Sequence, residues 1–127
     1  MYYKKEIGNN GEDAAFYHLI NHGYSIINRN FTCKLGEIDI IGLEQTKYGP
    51  ELVFFEVKTR SDGQYGTPAE AVNSYKIRHI IRVAEYFLMI NNLENANCRF
   101  DIIEVLPSGK NTFRINHIKD AFSNSIN

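Results

Sequence analysis

Two apolar runs in this sequence, Ile38–Ile41 and Leu52–Val57, each carry an acid in their interior, Asp39 and Glu56, and Lys58 follows Glu56 by two residues. Side chains two apart on a strand share a face, so Glu56 and Lys58 should project together with Val57 opposite. By the same rule Glu37 and Asp39 share a face, opposite Ile38 and Ile40. If the two runs pair as a hairpin, Asp39 comes beside Glu56. A helix packed on that face would add Glu12, which flanks the apolar stripe of the segment before them. A buried carboxylate without a counter-charge is costly, and one lysine cannot neutralise three acids. A divalent cation can. Oxygen ligands in small number, with no His or Cys alongside, suit Mg²⁺ or Mn²⁺ rather than Zn²⁺. An adjacent lysine would orient or deprotonate an attacking water, or stabilise the charge of a phosphorane-like transition state. The reaction class is phosphodiester hydrolysis. Taken singly, each residue has a structural alternative: Glu12 as a boundary or capping acid, and Asp39 or Glu56 as a salt-bridge partner of Lys58.

A nucleic-acid substrate also needs backbone contacts. Between Lys58 and Arg82 lie the basic residues Lys58, Arg60, Lys76, Arg78 and Arg82 against only Asp62 and Glu70. Arg60, Lys76, Arg78 and Arg82 would hold phosphates without reading sequence; the alternative is a solvated helix face. Tyr65 would stack on a base or simply pack. The whole chain has a net charge of −1, so any phosphate affinity must be local. His18 and His22 are four apart but lack the intervening glutamate of a zinc-protease motif, which favours a surface location. Signatures of a serine or cysteine nucleophile are absent.

These side chains need elements to position them. Residues 5–23 read as a helix closed by Gly23, with the stripe Ala15, Phe16, Leu19 and Ile20. Strands follow at 24–33, 37–43 and 51–59, and their short links favour an antiparallel meander. A Gly-rich loop leads into Thr67-Pro68-Ala69-Glu70, a capping box with proline at the first helical position. The main helix spans about 74–91. Its apolar face is Ile77, Ile80, Ile81, Ala84, Phe87 and Leu88, its opposite face Tyr75, Arg78, His79 and Arg82, with Lys76 at the border. A strand over 98–106 pairs with another over 112–118, and the last residues form a short frayed end. At 127 residues this is most simply one domain, 1–127, an α/β sandwich on a mixed sheet. No apolar run reaches membrane-spanning length, the N-terminus has no secretory h-region, and Cys33 and Cys98 fit no metal or redox motif. A cytoplasmic protein with reduced thiols and no membrane partner is expected.

The assembled residues resemble a known pattern. A helix Glu12, then Asp39, then Glu56-Val57-Lys58, is similar to the core of the PD-(D/E)XK nucleases, and the αβββαβ order agrees. More closely, "GEDAAFYHLINHGYSIINRNF", "GEIDII", "VFFEVKTR", "YGTPAEAV" and "RFDIIEV" resemble the YraN-like family of small bacterial proteins over about residues 8–106. The resemblance implies a restriction-endonuclease-like fold related to archaeal Holliday-junction resolvases. It also implies metal ligands at Asp39 and Glu56, a supporting acid at Glu12 and a catalytic lysine at Lys58. Fold membership by itself does not fix function. The expectation is a Mg²⁺- or Mn²⁺-dependent endonuclease acting on DNA, including branched or damaged DNA. A non-catalytic nucleic-acid-binding module on the same surface is the alternative, and a protein-interaction domain with a purely structural charge cluster is a third. Junction resolvases work as homodimers, but the sequence marks no interface.

Overall fold

The computed structural model describes residues 2–4, 11–60, 73–109 and 112–123. The capping box at 67–70 and Tyr65 lie outside the described residues. The element order is β1 (Tyr2–Lys4), α1 (Gly11–Asn21), β2 (Ser25–Cys33), β3 (Gly36–Thr46), β4 (Gly49–Thr59), α2 (Ser74–Ile90), β5 (Cys98–Pro107) and β6 (Thr112–Phe122). They build one six-stranded sheet in the order β1-β6-β5-β4-β3-β2. Strands β2, β3 and β4 form the antiparallel meander, β5 joins β4 in parallel, and β6 returns antiparallel to β5. The αβββαβ core expected of a restriction-endonuclease-like fold is therefore present, with a mixed sheet between two helices.

The hairpins turn where glycine permits it. Gly36 (φ 139°) and Gly49 (φ 110°) take positive φ at the start of β3 and β4, a region a Cβ disfavours. Gly23 (φ 91°) closes α1 as expected.

Two cores lie on the two faces of the sheet. On one, Ile80, Ile81, Val83, Ala84 and Phe87 of α2 pack on Ile38, Ile41, Leu52, Phe54, Phe100 and Ile102. On the other, Ala14, Ala15 and Leu19 of α1 pack on Ile40, Val53, Phe55, Ile103 and Val105. With β4 covered on both sides, its residues 52–56 are all buried, which is why that run reads as continuous rather than alternating.

Three expectations need correction. The buried stripe of α1 is Gly11, Ala14, Ala15, His18 and Leu19, while Ile20 is 45% exposed. The helix thus turns one position from the expected stripe: Gly11, Ala14 and Ala15 allow close approach, and His18, expected at the surface, is buried beside Leu19 at 8% exposure. Tyr2–Lys4 adds a strand that pairs with β6, which was not foreseen. The end after residue 118 is not frayed throughout: β6 runs to Phe122, whose ring stacks on Phe100 at 5.1 Å.

Candidate active site

The site forms where β3 and β4 part. Their register can be followed from the hairpin to Ile40 opposite Phe55. Beyond that pair the Asp39 carboxylate, rather than a strand carbonyl, accepts the Val57 N–H at 2.7 Å. Ile38 belongs to the core under α2 and Ile40 to the core under α1, so these two residues do not share a face as regular alternation requires. The paired stretch of β2 changes face at the same place. Asn30 stands between the pairs Arg29–Ile40 and Phe31–Ile38 and has φ 55°. This left-handed residue turns the edge strand over, and asparagine tolerates that conformation better than most. Asp39 therefore meets Glu56 through a gap in the sheet and not across one flat face.

Asp39 borders the α1 side. Together with Gly11, Glu12, Val57 and Thr59 it lines an open cavity of about 250 Å³. Gly11 makes this approach possible: a Cβ there would overlap Thr59 Oγ1 and stand 3.2 Å from the Val105 side chain. Glu12 reaches the cavity, but its carboxylate is also held by Arg29 at 3.3 Å, and the same guanidinium takes Asp13 at 2.7 Å and covers the Phe16 ring at 4.5 Å.

Glu56 lies toward α2, in line with Phe54, and is 7% exposed. Burial pushes its carboxyl up to about 7. The Asp39 carboxylate beside it adds to the rise, the Lys76 ammonium opposes it, and a hydrogen bond shared with Asp39 favours the protonated form. Lys58, half-buried, follows Glu56 on the same face and pairs in register with Glu104 of β5. It has no ion-pair partner among the described residues.

Two expected phosphate ligands are placed differently from expectation. Arg60 is 6% exposed and makes a buried ion pair with Glu104, so it belongs to the interior and not to a phosphate-holding surface. Lys76 reaches into the site, with Nζ 3.3 Å from Glu56 Oε1. Arg78 and Arg82 remain on the exposed face of α2, where they line an open cavity of about 190 Å³ with Tyr75 and His79. Tyr75 is 66% exposed, and its ring lies 4.6 Å from that of His79.

The full convergence of three carboxylates is not what the fold builds. Among the described residues no three His, Cys, Asp or Glu side chains are grouped to hold a metal. Asp39 and Glu56 are brought together, while Glu12 stands across the cavity on Arg29. The pair fits a divalent cation all the same. Two neighbouring carboxyls, one of them buried, form a hard-oxygen donor set, and Mg²⁺ characteristically takes one or two carboxylates while keeping several waters.

Glu104 and Asn116 were not singled out by spacing. Glu104 is 5% exposed and accepts from Asn116 at 3.2 Å as well as pairing with Arg60. Its position inside the apolar run Ile102–Val105 is the same signal that marked Asp39 and Glu56. Arg29 gave no such signal, because a basic residue in an edge strand is ordinary.

The fold defines a small α/β protein with an αβββαβ core on a mixed sheet flanked by helices. The model of "Uncharacterised protein family UPF0102" matches residues 11–105, and the chain belongs to that family. A UPF0102 protein of Caldicellulosiruptor saccharolyticus is 48% identical over 94% of this chain and 98% of its own. One from Clostridium tetani is 44% identical over 94% of this chain and 96% of its own. A solved structure of Pyrococcus furiosus SfsA in complex with Ca²⁺ aligns with 91% of this chain and 63% of that chain, at 12% identity and a TM-score of 0.37. No described helix is long and apolar enough to cross a membrane.

Proposed function

We propose that this protein is a Mg²⁺- or Mn²⁺-dependent nuclease that hydrolyses phosphodiester bonds in cytoplasmic DNA, branched or damaged DNA included. One observation carries the reading: Asp39 and Glu56 are neighbours at a break in the sheet, with an open cavity on the Asp39 side and Lys76 against Glu56. Asp39 and Glu56 would hold the cation. When bound, it supplies Lewis-acid polarisation of the phosphate and a lowered pKa for water. Asp39 is already oriented for this by the Val57 N–H. Lys58 lies next along β4, where its ammonium can orient the attacking water and offset charge developing on the phosphate oxygens. Glu12, restrained by Arg29, adds negative charge on the far side of the cavity and can accept a hydrogen bond from water there. Arg78 and Arg82 hold the flanking backbone by charge alone.

The test is cleavage of single-stranded, duplex, flapped and four-way-junction DNA by purified protein with Mg²⁺, Mn²⁺ or chelator. Cleavage should need the divalent ion and fall on the order of 100-fold or more in Asp39→Ala, Glu56→Ala and Lys58→Ala, the scale of losing one transition-state contact. Activity that survives all three substitutions belongs to a contaminant and removes the nuclease reading. Salt-sensitive DNA binding with no cleavage of any substrate would leave the non-catalytic binding module in its place.

A further inference from the structure

One contact in the site is not accounted for by the hydrolytic roles. Lys76 Nζ lies 3.3 Å from Glu56 Oε1, where a cation against that carboxylate belongs. The partners differ in freedom. The Glu56 side chain is 8% exposed, and its strand is fixed between two cores. The Lys76 side chain is 46% exposed. Its backbone is anchored, since Asn73 Oδ1 caps the helix by accepting the Lys76 N–H at 2.9 Å. The stem above that anchor is a flexible four-carbon chain ending in a compact charge. Along the same helix, Arg78 and Arg82 present the outer basic face. A lysine that lets go of Glu56 can turn out to solvent at the start of α2 without any movement of the backbone.

We propose that Lys76 is a place-holding cation: it neutralises Glu56 while the divalent ion is absent, yields the carboxylate when the ion enters, and then holds the phosphate next to the scissile bond. The inference rests on Asp39 and Glu56 being the metal ligands, but not on cleavage. Lys58 does not do this work, because it has no ion pair to exchange among the described residues. Two cations packed against the one Glu56 carboxylate repel each other, so Lys76 competes with the metal. Once displaced, it adds a charge to the nucleic-acid surface. Metal and nucleic acid therefore strengthen each other's binding, and the coupling runs through one side chain.

The experiment titrates Mg²⁺ by calorimetry at pH 8 into nucleic-acid-free, full-length protein: wild type, Lys76→Met and Lys76→Arg. A parallel series measures the affinity for a labelled DNA junction with and without Mg²⁺, in a Lys58→Ala background that suppresses turnover. Lys76→Met should bind Mg²⁺ roughly tenfold more tightly than wild type, since a competing charge at contact distance is gone. Lys76→Arg should stay near wild type. The Mg²⁺-induced gain in DNA affinity should shrink toward none in Lys76→Met. If the Met variant fails to fold, Lys76→Gln carries the same comparison. Equal or weaker Mg²⁺ binding by the uncharged variant, or no Mg²⁺ binding by any variant, overturns the exchange; an undiminished DNA gain overturns the phosphate role. Tighter Mg²⁺ binding with no substrate ever cleaved leaves the exchange standing and removes the nuclease.

Discussion

In the proposed reading, Glu56 is the residue on which the chemistry and the stability of this protein meet. Burial first, and then Asp39, raise its carboxyl from 4.5 to about 7. A raised carboxyl gives stability that is complete below 4.5 and is lost as pH climbs through about 7. Without divalent ions, wild type should therefore lose up to about 3 kcal/mol between pH 4.5 and 7 from this group. Glu56→Gln removes that loss. His18 works in the opposite sense: burial, then its His22 and His117 neighbours, lower it to about 4. Its stabilising effect is full above 6.5 and lost as pH falls toward 4. The two slopes oppose each other, so the Glu56 effect must be read as the difference between wild type and Glu56→Gln. Urea denaturation at pH 5 and pH 8 measures it. The glutamine variant should gain on wild type at pH 8, and saturating Mg²⁺ should close the gap by stabilising only the wild type.

At the level of elements, the site depends on an edge strand that never touches substrate in this reading. Asn30, at φ 55°, turns β2 so that Arg29 faces α1 and Phe31 faces α2. Asp39 stands between their partners on β3. A β-branched residue at position 30 opposes that turn, whereas glycine accepts it. Asn30→Val should cost about 1–2 kcal/mol and weaken Mg²⁺ binding as well, while Asn30→Gly should stay close to wild type in both. Denaturation and metal calorimetry on the same samples check the pair. Equal behaviour of the two variants would separate the turn of β2 from the position of Asp39. Periodicity gave the helices, the meander and the pairing of Asp39 with Glu56. It could not give the route by which they meet, because a period of two assumes an unbroken strand and β3 changes faces between Ile38 and Ile40. Arg60 was misplaced for a related reason. Its charge reads as surface, and its ion pair with Glu104 on β5 joins residues far apart along the chain, which no local period records.

For the whole molecule, the balance of charge decides how a nucleic acid would be held. A net charge of −1 gives no general attraction to phosphate. In the proposed reading the exposed basic face of α2, with Arg78 and Arg82, supplies it, joined by Lys76 once it is displaced. Each phosphate contact contributes close to one unit to the salt dependence of duplex binding. The double variant Arg78→Ala/Arg82→Ala should therefore lower the slope of log affinity against log salt by about 2 in magnitude. It should leave Mg²⁺ affinity unchanged. Fluorescence anisotropy across a salt series reads the slope, and an unaltered slope would place the nucleic acid on another surface.

The sequence by itself determined which acids lie inside apolar runs and which elements carry them. Acids inside apolar runs are too costly to occur without partners, and strand and helix periods are local properties of the chain. Tertiary structure alone decided how the charges are shared. It tied Glu12 to Arg29, buried Arg60 on Glu104 and laid Lys76 against Glu56. Those pairings join residues from different elements, and their geometry follows from the turn of β2 and the docking of two helices on opposite faces. Side-chain period along one segment contains no record of that.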